Sequence, residues 1–162
     1  MKNKPFKFTE DMNVGSVSAE KIRVGIVIAT FNGDISNGLL EGCKKQLRFA
    51  NVKNDNIFIY TVDGCVEIPI IAQKLAEKKI VDVIICLGSV IKGDTPHFDY
   101  VCKAVTDGVL RVSLDAKLPV IFGILTTLNY NQALERASND DNNKGAEVTQ
   151  TALKTINLLN SI

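Results

Sequence analysis

The chain has 162 residues, 46% apolar and 23% charged, enough for one compact domain with a real core and too few for two comfortable ones. Its formal net charge of +1 gives no electrostatic reason to expect a nucleic acid or an anionic membrane as partner. Four cysteines, Cys43, Cys65, Cys86 and Cys102, form no C-x-x-C pair and have no His-rich segment beside them, which argues against a zinc site.

Residues 1–20 are polar, with lysines at positions 2, 4 and 7, and lack the apolar stretch of a secretory signal. They read as a loose tail or an edge strand that pairs elsewhere, leaving residues 21–162 as a single domain. No later segment reaches membrane-spanning length, and the expected location is the cytoplasm, with an organelle transit peptide left open.

Two element types then alternate. Ile22 to Thr30 is a short β-branched apolar run, as a strand buried on both faces requires. Phe31, Asn32 and Gly33 break it. From Asp34 to Ala50, Ile35, Leu39, Cys43 and Leu47 recur every fourth residue, which is a helix face, and Asn32 or Asp34 can cap its start. Ile57 to Val62 reads as a second strand ended by Gly64. Pro69 suits the first turn of a helix running to about Lys79. Val81 to Ile91 is the strongest strand, nearly continuous in Val, Ile, Cys and Leu. A helix from His97 to Ala116 follows, with Phe98, Val101, Val105 and Val109 on one face. Pro119 to Thr127 is a fourth strand, and helices over Tyr130 to Ser138 and Lys144 to Leu159 close the chain, joined by a short polar linker.

This alternation predicts a parallel sheet covered by helices on both faces. Right-handed crossovers leave few topologies, of which a flavodoxin-like three-layer sandwich with strand order 2-1-3-4 fits best. Cys43, Cys86 and Cys102 fall at apolar positions and read as small buried hydrophobes in a reducing compartment.

In an open parallel sheet the ligand sits outside the carboxyl ends of the strands. Those ends are Phe31-Asn32-Gly33, Gly64-Cys65-Val66-Glu67, Gly88 to His97, and Thr126-Thr127. The segment Gly88-Ser-Val-Ile-Lys-Gly93-Asp94-Thr95 has the spacing of a phosphate-binding P-loop, but Asp94 stands where the lysine belongs. That excludes a nucleotide triphosphatase and leaves the backbone amides of Gly93, Asp94 and Thr95 able to hold one phosphate beside a helix start. By itself such a turn is more often only a cap. His97, the single histidine, stands two residues beyond it, where an imidazole could shuttle protons near neutral pH. Glu67 at a helix start is either a dipole partner or an acceptor for substrate hydroxyls. Phe31 is either core or a stacking platform for a flat heterocycle. Arg136 and Lys144, taken singly, read as surface charges.

Together these segments resemble the lumazine synthase family across roughly Ile22 to Leu159. The resemblance is carried by Ala29-Thr-Phe-Asn32, Gly64-Cys-Val-Glu-Ile-Pro69, Leu87 through Val101, Val120 through Thr126, Gln132-Ala-Leu-Glu-Arg-Ala137 and Lys144-Gly145. It implies that a ribityl-substituted diaminopyrimidinedione condenses with 3,4-dihydroxy-2-butanone 4-phosphate to give 6,7-dimethyl-8-ribityllumazine, without metal or redox cofactor. By the same resemblance Phe31 stacks on the pyrimidine, and Asn32, Cys65, Val66 and Glu67 hold the ribityl chain. Val90 and Ile91 meet the ring edge. Gly93, Asp94 and Thr95 cradle the phosphate with Arg136, and His97 moves protons. Glu135 tunes that histidine, while Lys144 and Glu147 lie near the same site. The resemblance also implies a homopentamer in which Phe122 and Arg136 come from the neighbouring subunit. It leaves open a sixty-subunit icosahedral shell and riboflavin synthase as a companion protein. Ser138 departs from a commonly glycine position, which leaves the shell undecided. The competing readings are a flavodoxin-like FMN-binding module, an archaeal-type riboflavin synthase and a purely structural shell protein.

Overall fold

The computed structural model describes residues 19–162, so most of the expected tail or edge strand over residues 1–20 lies outside the described residues. Ala19–Lys21 forms one 3-10 turn. Beyond it come β1 (Val24–Ala29), α1 (Gly33–Phe49), β2 (Ile57–Val62), α2 (Ile68–Lys78), β3 (Val83–Ile91), α3 (His97–Ala116), β4 (Val120–Thr127), α4 (Tyr130–Ala137) and α5 (Lys144–Ser161). Two further 3-10 turns, Asn54–Asn56 and Cys65–Glu67, precede β2 and α2.

The four strands form one parallel sheet in the order β2-β1-β3-β4. This is the expected three-layer architecture. One face is covered by α1, α4 and α5, the other by α2 and α3. Strand alternation divides the apolar residues between two cores. Val24, Ile26, Ile28, Val83, Ile85 and Leu87 meet Ile35, Leu39, Cys43 and Leu47 of α1 and Leu153 of α5. Val27, Ile84 and Cys86 meet Ile68, Ala72 and Leu75 of α2 and Val105, Val109 and Val112 of α3. Central strands β1 and β3 are apolar on both faces because both faces are covered, whereas β2 at the sheet edge is only half-buried.

At the amino end of the sheet, Arg23 and Asp82 lock the approaches to β1 and β3 together. The Asp82 carboxylate accepts from the Arg23 backbone at 2.8 Å and from its Nη2 at 2.6 Å and Nε at 3.1 Å. The thiols sit largely as expected: Cys43 and Cys86 are buried and Cys102 half-buried. Cys65, in the turn after β2, is buried as well.

Candidate active site

Three of the four strand exits converge on one cavity of about 700 Å³. Phe31 and Asn32 follow β1, the turn Gly64–Glu67 follows β2, and Val90, Ile91, Gly93, Thr95 and His97 follow β3. Local geometry explains each placement. Asn32 occupies the N-cap position of α1 in the left-handed region, at φ 58° and ψ 54°, a conformation asparagine tolerates better than most residues. Its side chain does not cap the helix. The Asn32 amide instead donates to the Ser89 carbonyl at 3.3 Å, which tethers the exit of β1 to that of β3. Phe31 is thereby left projecting from the surface, 72% exposed, an arrangement suited to a face that waits for a flat ring.

Below the turn after β2, Cys65 fills the space that Gly88 leaves in β3. A Cβ on Gly88 would stand 2.7 Å from the Cys65 sulfur and 3.2 Å from the Ala29 Cβ. Burial pushes the Cys65 thiol up to about 11, which disfavours the thiolate. Glu67 folds back over its own turn, its Oε2 accepting from the Gly64 amide at 3.0 Å, while the residue remains exposed toward the cavity.

The turn after β3 is open. Residues Gly93, Asp94 and Thr95 are exposed, and none of their amides donates to a protein acceptor among the described residues. The His97 amide leans on Thr95 Oγ1 at 3.4 Å and begins α3, with its imidazole on the cavity wall. Asp94 belongs to the same turn but not to the wall.

A second cavity, of about 290 Å³, lies along β4 and gathers Phe122, Thr126, Thr127, Arg136, Lys144 and Glu147. Asn129 caps α4 by accepting from the Gln132 amide at 3.0 Å, and the Arg136 guanidinium donates to the Gln132 carbonyl at 2.8 Å. Lys144 pairs with Glu147 at 2.5 Å across the first turn of α5. Glu135 is exposed and lies 4.0 Å from Arg136. The candidate residues therefore separate into two cavities that share no lining residue.

The sequence reading missed Tyr130, which reaches the wall of the larger cavity from the start of α4. Its hydroxyl donates to Asp34, an interaction that holds the carboxyl below its ordinary range and pushes the phenol up. The available signal was its position directly beyond the fourth strand, where an amphipathic aromatic faces the ligand side. Ser89, Phe98 and Val101 complete the wall.

The family model described as 6,7-dimethyl-8-ribityllumazine synthase matches residues 21–160. The chain belongs to the lumazine synthase family. As a member it is a transferase that condenses 5-amino-6-(D-ribitylamino)uracil with 3,4-dihydroxy-2-butanone 4-phosphate to give 6,7-dimethyl-8-ribityllumazine, the penultimate step of riboflavin biosynthesis. Small-molecule substrates and self-association go with lumazine synthase membership. The match covers both cavities and nearly the whole chain, and it favours none of the competing readings.

Proposed function

We propose that the two cavities are the two halves of one catalytic site and that the halves meet between neighbouring copies of the chain in a ring of five. The observation that carries this reading is their separation within one chain. The aromatic, amide-rich half holds His97, while the half along β4 holds the two cations Arg136 and Lys144. Neither half alone offers both a ring platform and a cationic anion site.

In the joined site Phe31 stacks on the pyrimidine, and Val90 and Ile91 present backbone groups to its edge. Asn32 and the Cys65–Glu67 turn take the ribityl hydroxyls. The amides of Gly93, Asp94 and Thr95 receive the phosphate, and the neighbour's Arg136 adds a charge-assisted pair. The neighbour's Phe122, Lys144 and Glu147 line the opposite wall. The substrate amine attacks the ketone, loss of water gives an imine, phosphate leaves, and the second amine closes the ring with loss of a second water. His97 takes and returns protons through imine formation and phosphate departure. Holding two small reactants in attack geometry supplies most of the acceleration, and proton transfer adds about 100-fold or more.

Four free thiols suit a reducing compartment such as the cytoplasm. Mixing the two substrates with purified protein tests the reading: lumazine fluorescence and released phosphate should rise together. Sedimentation should give a pentamer as the smallest active species. Activity in a monomer would overturn the shared site.

A further inference from the structure

Resting on the reading of Arg136 and Lys144 as one anion-binding half-site, we propose that Asn143 is the positioning residue that sets the spacing of those two cations. Arg136 sits in the last turn of α4 and Lys144 is the first residue of α5, so their relation depends on the linker between them. That linker, residues 138–143, is polar and otherwise exposed or half-buried, but Asn143 is only 4% exposed. Its side chain is a junction. The Nδ2 group donates to the carbonyls of Ser138 at 2.8 Å, Gly38 at 3.0 Å and Ala137 at 3.3 Å. Its Oδ1 accepts from the Ala146 amide at 3.1 Å and so caps α5. Three carbonyls demand a donor and one amide demands an acceptor, which fixes the orientation of the group and leaves asparagine as the side chain that satisfies both.

The partners of this one amide are what matters for the site. Ala137 follows Arg136 directly, Lys144 follows Asn143 directly, and Gly38 belongs to α1, the helix that starts at the Phe31–Asn32 exit. Asn143 thus ties the end carrying the guanidinium, the start carrying the ammonium and a rigid central helix at a single point. Gly42 shows how closely they meet: a Cβ there would fall on the Asn143 side-chain amide, and one on Gly145 would fall on the Leu39 carbonyl. Neither Asn143 nor Gly42 lines either cavity.

Asn143→Ser keeps a hydroxyl near the α5 cap but can reach fewer of the carbonyls. Gly42→Ala leaves Asn143 in place and pushes its amide from the α1 side. Both variants should raise KM for the phosphate-bearing substrate by about tenfold or more, since misplacement on the ångström scale carries penalties of that order. Inhibition by inorganic phosphate should weaken by the same factor, with KM for the pyrimidine substrate nearly unchanged. Equal changes in both KM values, or a lower melting temperature with both unchanged, would make Asn143 a structural residue only and overturn the proposal. An Arg136→Ala control separates the two layers: if it leaves phosphate inhibition unaltered, the anion half-site itself is overturned.

Discussion

The side-chain amide of Asn32 donates to the backbone carbonyl of Ser89, 57 positions away in the chain, and so holds the exits of β1 and β3 together at the mouth of the larger cavity. It joins the residue after Phe31 to the strand that runs into the turn carrying Gly93 to His97. Asn32→Gly removes the tie but keeps the left-handed backbone free of strain, whereas Asn32→Ala removes the tie and adds about 1 kcal/mol or more of backbone strain. Both should raise KM for the pyrimidine substrate. Only the alanine variant should also lose appreciable stability in urea; equal stability of the two would contradict the strain argument.

Gly88 and Cys65 share one space, which gives a compensation experiment. Gly88→Ala forces a methyl to within 2.7 Å of the sulfur and should destabilise by about 1–3 kcal/mol. Adding Cys65→Ala removes the sulfur, and the double variant should recover a large part of that loss. Simple addition of the two single effects in denaturant titrations would refute the contact.

The acid–base and anion roles should separate kinetically. His97→Ala should lower kcat by about 100-fold without abolishing turnover, because positioning survives. Arg136→Ala should act mainly on KM for the phosphate substrate. A folded His97→Ala protein with no activity at all, or an Arg136→Ala protein with unchanged KM, would reassign the roles.

Stability should depend on pH through Asp82. Burial pushes its carboxyl up, but the hydrogen bonds and charge of Arg23 outweigh this and hold it below the ordinary range. With the folded pKa below the unfolded one, the carboxylate stabilises above a pH of about 4, and that contribution is lost as pH falls through the folded value. Asp82→Asn should therefore be less stable than the parent at neutral pH, with the gap narrowing in acid. A constant gap across that range in urea midpoints would show that charge is not its source.

Much of the architecture was legible because buried parallel strands have to be apolar on both faces. The runs around Ile22–Thr30 and Val81–Ile91 announce themselves in that way, and only their ends differ, since the ladder begins at Val24 and Val83. The repeat of Ile35, Leu39, Cys43 and Leu47 likewise fixes the buried face of α1. What stayed hidden depends on partners distant in sequence. The left-handed Asn32 is stabilised through Ser89, the burial of Cys65 follows from the missing side chain of Gly88, and Tyr130 finds Asp34 across 96 positions. The division of the candidate residues into two cavities was also unreadable from spacing alone, because one cavity gathers the turns after β1, β2 and β3 while the other runs along β4 beside Arg136, Lys144 and Glu147.

The most direct test of a shared site is complementation between defective chains. His97→Ala and Arg136→Ala proteins would be denatured, mixed in equal amounts and refolded together, then assayed at a low concentration of the phosphate substrate. Each half is intact in half of the chains, so about one quarter of the interfaces in mixed rings regain both. A site shared between neighbours gives activity near a quarter of the parent enzyme, well above either variant alone. Activity equal to the average of the two separate variants would contradict it.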